Sequence, residues 1–276
     1  MGEDLVGRQR WDTSTVARDS GGHAAFLEEA ARAPHMVAAA QRSLELLDLA
    51  PGQRVLEVGC GTGYILPALA EAVAPEGHVV GVDLSPELLG HARDRVEAGG
   101  LSGSVTLAEG DANALEFDAA SFDAARTERV LMHQDDPNQQ LAEMARVVQP
   151  GGVVVALEPD FGCFHLDGVA DPDALQSLWG TLVAGTRGPR VGIELYRRMH
   201  EVGLVDRQLL TGGVVLTDAA YLRFARWEQA IELADEQGSI DRDRATAAVA
   251  DLEDASERGV LACLVSVYVG AGRVPQ

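Results

Sequence analysis

The chain has 276 residues, 46% of them apolar and 5% aromatic, enough for one large domain or a core domain with a cap. All 22 basic residues are arginine, and against 43 acidic residues they leave a net charge of -21. So acidic a surface repels nucleic-acid phosphates and anionic lipid, so neither is an expected partner, and a small or cationic ligand suits it better.

From the N-terminus, "MGEDLVGRQR" lacks the basic-then-apolar order of a secretory leader. Residues 1 to about 50 read as helical, because "GHAAFLEEAARA" and "HMVAAAQRSLELLDL" place apolar residues at i, i+3 and i+4. "APGQ" at 50–53 breaks that pattern and launches a strand at 54–58. Strands are then predicted at 77–83, 104–111, 122–130 and 153–160. Between them lie two clear helices. "SPELLGHARDRVEAGG" starts with Ser85 as N-cap and Pro86 at N1, and "DPNQQLAEMARVVQPGG" closes on Pro-Gly-Gly. Strands alternating with helices predict βαβ units and a parallel sheet.

Beyond residue 160 the alternation loosens. "DPDALQSLWGTLVAG" and "RVGIELYRRMHEVGL" read as helices, 205–217 as a strand, 218–258 as helical, and the apolar run at 260–272 as a last strand. That run is well short of the ~18 residues that span a bilayer. The expected organisation is an N-terminal helical cap (1–50), a ligand-binding core (51–160) and a C-terminal half of the sheet (161–276). Helical substrate-cap insertions are placed at about 161–190 and 218–258. Cys60, Cys163 and Cys263 form no C-x-x-C pair, which fits a reduced, cytoplasmic chain without a structural metal. The absence of lysine, with abundant Ala and Gly, points to a GC-rich bacterial genome.

The stretch "VLEVGCGTG" at 55–63 carries the most chemistry. A dinucleotide fingerprint needs G-x-G-x-x-G, but counting from Gly59 its last position is Tyr64, and from Gly61 it is Leu66. A phosphate-binding P-loop needs a lysine. What stands here is Glu57, Gly59, Gly61 and Gly63, an acid at a strand end followed by positions without Cβ that allow a ligand close to the backbone. The acid repels a pyrophosphate and attracts an ammonium group. S-adenosylmethionine (SAM) has an amino group, a carboxylate and a sulfonium, and no phosphate.

"VLEVGCGTG" resembles the first motif of the class I SAM-dependent methyltransferases, and the likeness continues along the chain. Asp83, in "VVGVDLSPELL", stands twenty residues after Gly63. "AEGDANAL" and "FDAARTERVLMHQDDPNQQLAEMARVVQPGGVVVALEPD" follow in the family's order. The spacing is most like the ubiquinone/menaquinone-biosynthesis-type methyltransferases and their small-molecule relatives in bacterial secondary metabolism. The resemblance covers 54–160 and, more weakly, 189 to the C-terminus. It implies an α/β, Rossmann-like, seven-stranded sheet with helices on both faces and a helical cap. It implies SAM as cofactor, with Glu57, Gly59, Cys60, Gly61, Gly63, Asp83, Leu84, Asp111, Ala112 and Glu128 around it. Asp83 would bind the ribose hydroxyls, Asp111 the adenine amino group and the Ala112 N–H the ring, while Cys60 reads as a small loop residue. Glu128 and Arg129 meet the methionine end of SAM or pair with each other.

Similar O-methyltransferases use a His after the fourth strand and an acid after the fifth. This implies His133 as general base and Glu158 as its orienter, with a capping or cofactor-contacting role for His133 left open. His165, just past the predicted fifth strand, is a further candidate near the acceptor. Trp179, Tyr221 and Trp227 are the expected substrate contacts in the cap, and no metal is expected. Tyr221, Phe224 and Trp227 form a stripe at helical spacing that reads as core or pocket. The expected function is methyl transfer to O, C or N of a small, largely apolar metabolite, such as a bacterial natural product or antibiotic precursor. Cyclisation or rearrangement on the same fold is the alternative, and the oligomeric state stays open, with a homo-oligomer allowed.

Overall fold

The computed structural model describes residues 20–184, 187–220, 222 and 227–276, apart from the side chains of Ser20 and His23. Tyr221 and Phe224, singled out in the sequence, lie outside the described residues.

Seven strands form one sheet: β1 Arg54–Val58, β2 His78–Asp83, β3 Val105–Glu109, β4 Phe122–Glu128, β5 Val148–Asp167, β6 Val205–Leu216 and β7 Ala262–Arg273. Their spatial order is β3-β2-β1-β4-β5-β7-β6. The first five run parallel, and β7 inserts antiparallel between β5 and β6. The central strands are buried on both faces, which is why Val55, Leu56 and Val58 read as a continuous apolar run rather than an alternating one.

Among the described residues, α1 Ser20–Arg32, α2 Pro34–Leu47, α3 Leu66–Val73 and α4 Pro86–Ala98 precede β3. After β4 come α5 Pro137–Val147, α6 Pro172–Ala184, α7 Val191–Glu201, α8 Trp227–Glu236 and α9 Arg242–Glu257. One face of the sheet is covered by α2, α3 and α4, through Met36, Leu47, Leu69 and Val96 packed on Val55, Val155 and Val269. The other face is covered by α5 and α7, through Leu141, Met144, Leu195 and Met199 on Leu56, Val80 and Val154. Helix α4 begins as its sequence predicts, with the Leu88 N–H donating to Ser85 Oγ at 3.3 Å and Pro86 in the first turn.

Both ends of β5 differ from the sequence reading: it starts at Val148 rather than at 153, so the Pro-Gly-Gly expected to close the preceding helix lies within the strand. β5 does not end near residue 160; beyond a register shift at Asp160/Phe164 it continues to Asp167, paired with the start of β7. Residues 161–167 are therefore strand, and the ends of β5, β7 and β6 form an antiparallel extension of the sheet. A second core sits on it, where Phe164, Leu216 and Cys263 meet α6, α8 and α9. The substrate cap expected there is thus a strand-and-helix layer. α2 likewise is a layer helix against β5 and β7 rather than a cap.

Candidate functional site

In parallel α/β sheets, ligands bind outside the carboxyl ends of the strands, where neighbouring connections leave in opposite directions. Here that point lies between β1 and β4, and the glycine turn after β1 stands at it. The Gly59 and Cys60 N–H groups donate to Val82 O at 2.7 and 2.9 Å, which locks the turn onto the end of β2. Gly59 is left-handed, φ 72°, and a Cβ there would meet Val130 Cγ2 at 2.2 Å. At Gly63, φ 74°, a Cβ would press on Ala92 of α4 at 3.1 Å. Both positions need glycine because chain from another element passes against them. Cys60 is buried, and burial pushes its thiol well above the ordinary range, which disfavours the thiolate.

Asp83, at the end of β2, ties the turn to α4. Its Oδ2 accepts from the Gly61 N–H at 2.8 Å and its Oδ1 from the Ser85 N–H at 2.9 Å. Burial raises its pKa, and the backbone donors offset that only in part. With two oxygens and about four lone-pair sites, the carboxylate retains room for a further donor. Leu84 beside it is 51% exposed, an apolar side chain open to a ligand. Asp111 is exposed and accepts from the Asn113 N–H at 2.8 Å, forming the turn after β3 that Ala112 also occupies.

Glu57 is placed differently from expectation. Its side chain turns into the sheet, where Oε1 accepts from Arg126 Nη1 at 2.6 Å. Arg126, fully buried in β4, also donates to Glu128 Oε2 at 2.5 Å and, through Nε, to Ser43 Oγ of α2 at 2.7 Å. The charge of Glu57 is thus met from within the protein. Its Oε2 is buried without a hydrogen-bond partner and is the one atom left for a ligand's donor. Burial holds the Glu57 carboxyl up at about 7 against the pull of Arg126. For Glu128 the two guanidinium groups of Arg126 and Arg129 outweigh burial and keep it below its ordinary range. Arg126 was missed in the sequence, although a charged residue inside a doubly buried strand is itself a signal of an internal partner.

Glu158 lies within β5 and is fully buried. Its Oε1 accepts from the Val130 and Leu131 N–H groups at 2.9 and 2.8 Å, holding the short 3-10 turn Leu131–His133. The acid expected to orient His133 directly grips the backbone that carries it. Burial pushes this carboxyl up to about 8, so it is largely protonated at neutral pH and holds no charge with which to steady an imidazolium. Since the folded value lies above the ordinary 4.5, the folded state holds a proton that the unfolded state loses. The associated stability is complete below pH 4.5 and is lost as pH rises through about 8. Glu158→Gln, which keeps an oxygen for both amides and cannot ionise, is expected to melt with the wild type near pH ~5 and several degrees above it at pH ~9. Thermal melts across that range check this.

His133 is held at about 4, chiefly by burial and further by the positive charges of Arg129 and Arg187. It is therefore neutral at pH ~7 and able to accept a proton. His165 pairs with Leu264 inside β5 and is exposed, on the face opposite Phe164. It is not a residue of the loop past the strand, because the strand runs through it. Trp179 and Trp227 are 7% and 9% exposed and sit in the second core. The Trp179 ring stacks on Phe164 at 4.3 Å and lies 6.5 Å from Trp227. Expected as pocket walls, the two tryptophans pack as core. The sequence also gave no hint of Glu28 on α1, which accepts from Thr62 of the glycine turn at 2.7 Å and pairs with Arg95 of α4. That contact seats α1 over the turn.

Among the described residues no helix is long and apolar enough to cross a membrane, and no group of three or more His, Cys, Asp or Glu could hold a metal ion. Residues 55–152 match the family described as a methyltransferase domain. Demethylmenaquinone methyltransferase of Bacillus cytotoxicus is 39% identical over 118 residues, 43% of this chain and 49% of that protein. The chain spans about half the length, or less, of the curated relatives it matches. The YcgJ protein from Bacillus subtilis superposes with a TM-score of 0.61 at 16% identity, over 87% of this chain and 99% of its own. The 4+2 cyclase SpnF superposes with a TM-score of 0.53 at 25% identity, over 88% of this chain and 84% of its own. The chain shares its fold with these solved structures.

Proposed function

We infer, from a chain whose residues 55–152 are a class I SAM-dependent methyltransferase domain, that the whole protein is an enzyme moving a methyl group to O, C or N of a small, largely apolar metabolite. The observation that carries this reading is the glycine turn held by Asp83 at the junction of β1 and β2. It has close backbone approach, a carboxylate with spare lone pairs, and no lysine to meet a phosphate.

The residues fit the cofactor. Its ammonium group is matched by the unpartnered Glu57 Oε2 and by Glu128, its ribose hydroxyls by Asp83, and its base by Leu84, Asp111 and Ala112. When bound, SAM supplies a methyl group already activated on a sulfonium. The protein's part is to orient the acceptor and exclude water, and neutral His133 takes a proton where the acceptor is a hydroxyl. Glu158 acts one step back, by fixing the turn that carries His133. In this reading the acceptor is a bacterial secondary metabolite handled in the cytoplasm; the lysine-free, Ala- and Gly-rich composition supports the bacterial source alone.

Calorimetry tests the reading. SAM is expected to bind and NADH not to. Asp83→Ala is expected to weaken SAM binding by about 1–3 kcal/mol, the cost of unpairing hydrogen bonds to a charged group. An unchanged dissociation constant would take Asp83 out of the site. The likeness to a cyclase favours a second outcome, in which the sulfonium serves only as a fixed charge during ring closure. Turnover of an acceptor without release of S-adenosylhomocysteine identifies that case.

A further inference from the structure

Arg129 is the first residue past β4, at the carboxyl edge of the sheet. Its backbone is left-handed, φ 55°, a conformation that disfavours any residue with a Cβ. Non-glycine residues held there concentrate where a side chain must be aimed at something. Its N–H donates to Leu157 O at 2.9 Å, so the side chain is rooted between β4 and β5.

One donor of the guanidinium is unmatched inside the protein. Its Nε is buried and makes no hydrogen bond, and the approach of Glu128 Oε1 at 3.4 Å is an ion pair only. Glu128 meanwhile gives its other oxygen to Arg126 at 2.5 Å, so one carboxylate is shared between two guanidinium groups. Arg129 stands two residues before the turn Leu131–His133, whose first amides are held by Glu158 of β5. Arg187 stands beside the same turn, its Nη1 at 3.3 Å from His133 O, but Asp135 pairs with it at 2.9 Å.

The charges nearest the cofactor's amino-acid end are Glu57, Arg126, Glu128 and Arg129, which sum to zero when all are ionised. SAM carries a sulfonium, an ammonium and a carboxylate, a net single positive charge. Counted with Asp83 and Asp111 further along the cofactor the site keeps no surplus positive charge, but at the amino-acid end Arg129 retains a buried Nε that makes no hydrogen bond. A planar guanidinium recognises a carboxylate better than any other side chain does.

We propose that Arg129 recognises a carboxylate on the methyl acceptor and makes the enzyme selective for anionic acceptors over their neutral counterparts. This rests on the methyltransferase reading above. The alternative anion is the carboxylate of the cofactor's own methionine part, and the test separates the two.

Protein loaded with S-adenosylhomocysteine is titrated calorimetrically with 1-hydroxy-2-naphthoate and with its methyl ester, a pair that differs by one charge. The acid is expected to bind at least about tenfold tighter than the ester, as a charge-assisted pair requires. Arg129→Gln is expected to bring the two within about twofold, while the dissociation constant for S-adenosylhomocysteine stays within about threefold of wild type. Arg129→Gly relieves the left-handed backbone and is expected to lose the acid preference equally, with a melting temperature no lower than wild type. Equal binding of acid and ester by the wild type overturns the proposal. So does an Arg129→Gln protein that keeps the acid preference but binds S-adenosylhomocysteine about tenfold more weakly, which assigns the arginine to the cofactor. If the wild type does not bind S-adenosylhomocysteine at all, the parent reading fails rather than the role of Arg129 within it.

Discussion

Arg126→Leu is expected to destabilise the protein by about 3–5 kcal/mol, the usual cost of removing one partner from a buried ion pair. Arg126 is wholly enclosed, and its guanidinium serves Glu57, Glu128 and Ser43 at once. Leucine fills much of the volume but leaves Glu57, 1% exposed, without its counter-charge. Burial already outweighs the pull of Arg126 on Glu57, and without the arginine its folded pKa rises further above 4.5. A raised folded value means stability that is complete below pH ~4.5 and lost as pH climbs, so the penalty is smallest in acid and greatest in alkali. Urea unfolding at pH ~5 and ~8 measures both. Adding Glu57→Gln to Arg126→Leu is expected to recover part of the loss, because the uncompensated charge is then gone. If Arg126→Leu costs under ~1 kcal/mol at pH ~8, the network is not the buried pairing described here.

The second large effect is on catalysis. His133→Ala is expected to lower kcat on a hydroxyl acceptor by about 10² or more. The argument turns on which form of the imidazole is present. Burial first, and then Arg129 and Arg187, hold it at about 4 against an ordinary 6.5. It is therefore neutral throughout the neutral range, the form a general base requires. The acid limb of the wild-type rate profile is expected near pH 4, not 6.5, and to vanish in His133→Ala. The same depression has a stability consequence of opposite sign to that of Glu158. Between pH 6.5 and 4 the unfolded chain binds a proton that the folded chain refuses, so His133 destabilises the fold as pH falls. If the variant turns over normally on a hydroxyl acceptor, His133 keeps only its place in the turn after β4.

Much of the fold could be read directly from the chain. The run Val55–Val58, the turn glycines, the Ser85-Pro86 helix start and the spacing to Asp83 each depend on neighbours close in sequence. Local physics is enough there: β-branched residues with two buried faces, positions that tolerate φ above zero, and a side-chain cap. The end of β5 was not legible in the same way. "FGCFHLD" has no strand signature of its own, and becomes strand because β7 lies alongside it after the shift at Asp160/Phe164.

Among the site residues the same division holds. That an acid stands at position 57 is written in the sequence, but its partner Arg126 lies 69 positions away and meets it only because β1 and β4 pair in parallel. Whether Glu158 steadies a histidine or a backbone turn, and whether Trp179 and Trp227 line a pocket or fill a core, are questions of direction. The chain by itself determined the order of strands and helices and the ligand type its glycine turn admits, because those follow from short-range preferences and steric room. Only the tertiary structure decided which charges are neutralised, which carboxyls are pushed toward their protonated form and which donor of Arg129 stays unmatched, because burial and long-range pairing set those and no local pattern encodes them.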